Sequence, residues 1–343
     1  MDTLSSYIES VNNVARMLKI KKANFLITGA TGLIGSSIID VLLAGNNYYN
    51  ADYKIYALGR NKNKIKDRFG DSVIPIVQNI MDEISKDVKV DYIIHAASNA
   101  DPKMYAMQPV ETVLTNVIGN INILEYCKNH NNTKVLLTSS FEVYGKLEEH
   151  DIYKENDCGI LDFQLLRNGY PESKRCAEIL LRSYVEEYNV NAVIARLCSI
   201  YGPTMKKDDS KAHAQFIRNA LNGEDIVLKS EGLQRRTYCY VIDAVRAIFQ
   251  ILFYGKKGEA YNVANENSAV SIVEVAETVA KIAGKRVVFD IPSEIEQKGY
   301  SKPQDCILDS KKLQSLGWNG KYKLEQGLRE TIQYMTSTIK NKE

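Results

Sequence analysis

The apolar run Asn24-Phe25-Leu26-Ile27-Thr28 is followed at once by Gly29-Ala30-Thr31-Gly32-Leu33-Ile34-Gly35, and then by Ile38, Ile39, Val41 and Leu42 at helical spacing. A strand, a turn with glycine at every third position and an amphipathic helix in direct succession leave few folds open. One glycine makes the turn, one lets an anion approach backbone N–H groups, and one allows the helix to pack closely with its positive end toward that anion. The G-x-x-G-x-x-G spacing is a variant of the dinucleotide fingerprint. Its place between strand and helix predicts a pyrophosphate cradle formed by Gly29, Thr31, Gly32, Leu33, Ile34 and Gly35.

Further short apolar runs follow at 54–58 (KIYAL), 73–77, 92–96 (YIIHA), 134–138 (KVLLT) and 192–197 (AVIARL), with helical patterns between most of them. Strands separated by helices of this length predict an α/β fold of the Rossmann type, a doubly wound parallel sheet covered on both faces. Ahead of the first strand, Leu4, Ile8, Val11, Ala15 and Leu18 predict an amphipathic helix that packs as an extension. After about residue 200 the elements are shorter and mixed in order, which predicts a smaller C-terminal lobe. Gly317-Trp318 and Leu324–Met335 read as a last turn and a closing helix.

The exit of the second strand selects the dinucleotide, because an acid there accepts the ribose 2′-OH of NAD and an arginine accommodates the 2′-phosphate of NADP. Here it reads Ala57-Leu58-Gly59-Arg60-Asn61-Lys62, with no acid. Asp52 precedes the run and falls at the wrong end. Arg60, flanked by Asn61 and helped by Lys62 or Lys64, therefore favours NADP(H), with NAD(H) as the alternative.

Tyr170-Pro171-Glu172-Ser173-Lys174 puts a phenol and an ammonium one helical turn apart on one face. Hydride chemistry at a secondary alcohol or ketone needs a proton donor or acceptor beside the carbon, and a cation one turn away stabilises the phenolate. Upstream, Ser139-Ser140-Phe141-Glu142-Val143-Tyr144-Gly145 follows a strand, so a hydroxyl at its exit reaches the same substrate oxygen. His95 ends an apolar strand and reads as a packed core histidine. Arg235 reads equally as a phosphate contact or a solvated side chain, and Lys211 and His213 as nucleotide contacts or a surface helix.

Composition removes other classes. Lys+Arg 44 against Asp+Glu 42 leaves a net charge of +2, which supplies no field for nucleic acid or an anionic membrane. The six cysteines lack C-x-x-C pairs and His clusters, so neither a disulfide framework nor a metal site is expected. With no apolar run of membrane-spanning length, the expected location is the cytoplasm.

Together TGATGLIG, HAAS at 95–98, Asn116 in TNVIGN, SSFEVYG, YPESK, RLCSIYGP and RRTYCYVIDAVRAI resemble the extended short-chain dehydrogenase/reductase family, over about residues 22–335. Its members are nucleotide-sugar epimerases, dehydratases, decarboxylases and reductases. HAASNADPKMYAMQPVETVLTNVIGNINIL and GPTM are similar to the UDP-glucuronate decarboxylase-like branch. The resemblance implies Tyr170 as proton-transfer residue, Lys174 as its partner and cofactor contact, and Ser140 on the sugar C4 oxygen. It also implies Glu142 as a site acid or base or, equally, a structural carboxylate capping a nearby helix, Ala96, Ala97 and Ser98 on the cofactor, and Arg236, Ser199 and Asn99 on the nucleotide sugar, Arg236 at its pyrophosphate. It further implies a homodimer and a setting in surface polysaccharide synthesis. Residues 1–22 are then a helical extension, 23–200 the dinucleotide-binding domain, and 201–343 mainly the sugar-nucleotide lobe, with segments returning to the sheet.

Phe141 stands where 4,6-dehydratases resembling this chain carry an aspartic acid, which disfavours dehydration. Ser199 stands where many members have an asparagine. With Arg60 at the strand exit, the main reading is an NADPH-dependent reductase of a keto group on a nucleotide-activated sugar. The alternative is an epimerase or decarboxylase working through a transient 4-keto sugar with retained NAD(P). A non-catalytic NADP-binding sensor or scaffold is the reading of another class, which Ser140, Tyr170 and Lys174 together oppose.

Overall fold

The computed structural model describes residues 5–148, 150–291 and 305–340. Its centre is a seven-stranded, wholly parallel sheet. The first five strands are β1 (Lys22–Thr28), β2 (Asp52–Gly59), β3 (Ile74–Val77), β4 (Tyr92–His95) and β5 (Lys134–Ser140). The last two are Asn191–Leu197 and Ala260–Val263. From one edge the order is β3, β2, β1, β4, β5, Asn191–Leu197 and Ala260–Val263. Chain order reverses between β1 and β4, the point at which such sheets open a crevice beyond their carboxyl ends.

Strict alternation explains why the sheet is covered twice. Phe25 and Ile27, Ile55 and Ala57, and Ile94 and Leu136 face one core. Leu26, Leu58, Ile93 and Val135 face the other. The first core is closed by α1 (Ser5–Met17), α2 (Leu33–Tyr48) and the helix Val241–Tyr254, the second by helices Pro109–Lys128 and Gly169–Tyr188. With both faces buried, β1 is apolar at consecutive positions, as parallel strands require. Ala260–Val263, which no periodicity announced, completes the sheet beside Asn191–Leu197.

One reading of the extension changes. Leu4 lies outside the described residues, and Ile8 is 40% exposed. The buried stripe of α1 is Tyr7, Ser10, Val11, Val14 and Ala15, carried on into Leu18. Tyr7 displaces Ile8 because its hydroxyl donates to Asp40 at 2.8 Å while its ring edge meets Tyr334 on the closing helix Leu324–Lys340. At the other end of the sheet, Asp52 opens β2 and pairs with Lys22 in solvent, far from the strand exit. Among the described residues no helix is long and apolar enough to cross a membrane.

Candidate active site

A cleft of about 480 Å³ opens over the carboxyl ends of the strands. Thr28, the last residue of β1, is fully buried, and its Oγ1 accepts from the Ala96 and Ala97 N–H groups at 3.1 and 3.0 Å. That draws the β4 exit against the turn. Gly29 there has φ +66°, and a Cβ on it would lie 2.7 Å from the Ala96 carbonyl oxygen. A Cβ on Gly35 would lie 2.4 Å from the Gly29 carbonyl oxygen. Gly32 caps α2 with no side chain, so the first N–H groups of the helix lack a side-chain partner. The cradle suits a dinucleotide pyrophosphate, because backbone donors are exposed where any side chain would fill the space. Gly29, Thr31, Gly32, Leu33, Ile34, Gly35, Ala96, Ala97 and Ser98 all line the cleft.

The β2 exit departs from expectation. Arg60 lines the cleft, but its Nη1 donates to Glu111 Oε1 at 2.7 Å, on the first turn of Pro109–Lys128. Asn61 does not line it; its side chain accepts from the Lys64 N–H at 3.0 Å and caps the helix Lys62–Phe69. A short polar side chain ahead of a helix is held by the backbone donors beside it. Lys62 and Lys64 are exposed and also lie outside the cleft lining.

On the helix Gly169–Tyr188, Tyr170, Lys174 and Glu178 follow one another on a single face, and all three are buried. Lys174 Nζ donates to the Thr138 carbonyl at 2.9 Å, and burial pulls its pKa down to about 8, opposed by the charge of Glu178. Burial and the Glu142 charge push the Tyr170 phenol up, and hydrogen bonds with Ser140, Tyr105 and Ser98 oppose that shift. Ser98 Oγ donates to Asn116, whose amide donates to Ser173 Oγ at 2.9 Å, and Ser173 in turn donates to the Tyr170 carbonyl. The sequence reading missed Tyr105, which sits in the short helix Pro102–Met107 with no periodicity to single it out.

Glu142 follows Ser140 in a single 3₁₀ turn, where Ser140 Oγ accepts from the Glu142 N–H at 3.2 Å. Burial raises its carboxyl, against Arg167, Arg236 and Lys211. Arg167 pairs with it directly at 3.3 Å. Arg236 lies over the Phe141 ring at 5.8 Å, so the position that carries an acid in the dehydratases here supports a cation. Its Nε is buried without a partner, as are Asn99 Nδ2 and His213 Nε2, all on cleft residues. Arg235 turns away and donates to the Ala269 carbonyl. Ser199, Asp209 and Lys211 complete this end, where Ser210 donates to Asp101 across the mouth. Buried His213 has its pKa pulled down to about 4 by burial and then by Lys211. Among the described residues no three metal-ligating side chains gather.

A Rossmann sheet with this glycine cradle and a buried serine, tyrosine and lysine lining the same cleft defines a nicotinamide-dependent enzyme of hydroxyl or keto groups. Residues 25–264 match the model of the NAD-dependent epimerase/dehydratase family, and the chain belongs to that family. It is 33% identical over 305 residues to UDP-glucuronic acid decarboxylase 6 of Arabidopsis thaliana, covering 88% of this chain and 86% of that one. Among solved structures it resembles a Bacillus anthracis dTDP-glucose 4,6-dehydratase in complex with NAD (TM-score 0.76, 25% identity, 92% of this chain and 97% of that one). It also shares the fold of a Thermotoga maritima UDP-glucose 4-epimerase with UDP-glucose (TM-score 0.80, 24% identity, 92% and 99%). Nucleotide-sugar chemistry with a nicotinamide dinucleotide is thereby established at the level of the family. The decarboxylase relatives support the alternative reading above the reductase.

Proposed function

We propose that this protein is a nucleotide-sugar enzyme that works through a transient 4-keto sugar with a retained dinucleotide, and that its substrate is a UDP-linked uronic acid which it decarboxylates. The observation that carries the reading is the set of cations beside the reacting residues. Arg236 and Lys211 line the cleft, Lys211 paired with Asp209 at 3.1 Å and Arg236 with a buried Nε–H that has no partner, while Arg167 pairs with Glu142. That leaves the Arg236 Nε–H for an anionic group of the substrate. The decarboxylase relatives at up to 33% identity support the same substrate class.

In this reading Tyr170 takes the C4 hydroxyl proton while Ser140 holds the oxygen by a hydrogen bond. A bound nicotinamide dinucleotide would supply hydride transfer at C4. Lys174 keeps the phenolate stabilised from one turn away. Glu142 delivers to C5 the proton that replaces carbon dioxide and takes another from solvent, and Tyr170 returns its own proton to the C4 oxygen at the end of the cycle. Glycines 29, 32 and 35, with Ser98 and Lys174, would hold the dinucleotide. Ser199 and Asn99 hold the nucleotide sugar.

Net reduction with exchanging NADPH has less support, because Arg60, on which it rested, is engaged by Glu111. The protein is taken as a cytoplasmic homodimer. The exposed apolar side chains Val110 and Leu114 on one flanking helix and Ile179 on the other support the dimer.

The test is to release and identify the bound dinucleotide, then to incubate the enzyme with UDP-glucuronate and follow carbon dioxide and UDP-pentose. Catalytic release of carbon dioxide without added cofactor is expected, and Tyr170→Phe should lower kcat by roughly 10² or more with dinucleotide affinity retained. Steady consumption of NADPH with a 4-keto nucleotide sugar, and no carbon dioxide, would return the reductase to first place.

A further inference from the structure

Arg60 is the only cation at the β2 exit that lines the cleft among the described residues, and its Nη1 already donates to Glu111. It is held at 2.7 Å by Glu111, whose side chain is 34% exposed against 64% for Arg60. Glu111 is the third residue of Pro109–Lys128, in the first turn, where the helix dipole favours a carboxylate and no side chain caps the end. It lines a shallow depression that shares Asn79 with the cleft, so the carboxylate stands at the same end of the site as Arg60. The strand exit lacks the acid that would read an NAD ribose, and a helix distant in sequence supplies one.

We infer that Glu111 is the residue that makes this site select NAD over NADP, by occupying Arg60 and by setting a negative charge beside the position of a 2′-phosphate. The inference rests on the proposed dinucleotide site and assigns its specificity. Two effects act in the same direction. Binding NADP breaks an ion pair, which at an exposed site is a small cost, and it brings a phosphate dianion toward a carboxylate, which is a repulsion that NAD never meets. Without Glu111, Arg60 becomes an uncommitted guanidinium at a strand exit, the arrangement that accommodates a 2′-phosphate. A carboxylate is thus the element of discrimination, and the arginine alone would favour the other cofactor.

The experiment measures Kd for NAD⁺ and NADP⁺ by calorimetry at fixed low salt on the stripped wild type, Glu111→Gln, Arg60→Ala and the double variant. Wild type is expected to prefer NAD⁺. Glu111→Gln should tighten NADP⁺ by roughly tenfold and leave NAD⁺ within about threefold. Arg60→Ala in the Glu111→Gln background should remove that gain, and added salt should shrink it. If wild type binds NAD⁺ and Glu111→Gln leaves the ratio of the two constants unchanged, the role of Glu111 is overturned while the dinucleotide site stands. If wild type binds neither dinucleotide, the site itself is wrong and the inference falls with it. A wild-type preference for NADP⁺ would also overturn the inference.

Discussion

The rings of Tyr105 and Tyr170 lie stacked, with centroids 4.3 Å apart and planes 10° from parallel, and both side chains are buried. Tyr105 comes from the short helix Pro102–Met107, which begins where Asp101 receives Ser210 from across the cleft mouth. The Tyr170 phenol is thus held from the side by a second phenol, on a segment tied across the cleft mouth through Asp101 and Ser210. The hydrogen bond from Tyr105 favours the ionised form of Tyr170. Tyr105→Phe keeps the stack and loses that bond, so the pH at which kcat rises should move up by roughly half a unit to one unit. The kcat–pH profile checks this; an unmoved profile removes Tyr105 from the tuning of Tyr170.

His95 should govern part of the acid sensitivity of the fold. It is 2% exposed, its Nδ1 lies 2.8 Å from Thr28 Oγ1, and burial, then Lys174, lower its pKa to about 3 from 6.5. Between those values the unfolded chain binds a proton that the folded chain refuses, so stability falls as pH drops through that window, by up to about 1.4 kcal/mol per unit. Above it His95 is neutral in both states and contributes no slope. His95→Asn, which keeps an acceptor near Nδ1, should flatten the dependence between about pH 3 and 6.5 in urea denaturation series.

Arg196 and Glu178 form a two-pronged pair, Nε to Oε1 at 2.9 Å and Nη2 to Oε2 at 2.7 Å, with side chains 8% and 5% exposed. Ser139 donates to the same carboxylate, and the guanidinium lies over the Tyr144 ring. Glu178→Gln strands a buried charge and should cost about 3–5 kcal/mol. Glu178→Leu combined with Arg196→Met should cost less than either single change, because no charge is left unpaired. Denaturant midpoints of Glu178→Leu, Arg196→Met and the double variant decide this, and additive losses would refute the coupling.

Gly35→Ala tests the cradle. The new methyl would meet the Gly29 backbone at 2.4 Å, where no flexible side chain can yield. Dinucleotide affinity should fall by roughly tenfold or more while the Tm of the protein without dinucleotide shifts by only a few degrees. Calorimetry and thermal melts on the same samples separate the two effects.

The strand, glycine turn and helix, the alternation of Phe25, Leu26 and Ile27 between two cores, and the shared face of Tyr170 and Lys174 were all legible in the sequence. Each depends on local backbone geometry and period, which neighbouring residues fix by themselves. The stripe of α1 was not, because Tyr7 is buried for the sake of Asp40 and Tyr334, both remote in the chain. Ala260–Val263 is too short to show a period, and it becomes a strand only because Asn191–Leu197 offers an edge. The state of Arg60 was the sharpest divide. The sequence placed it correctly at the β2 exit, but its charge is answered by Glu111, 51 residues away. Which carboxylate meets which guanidinium depends on the path of loops between elements, and local periodicity carries no information about that path.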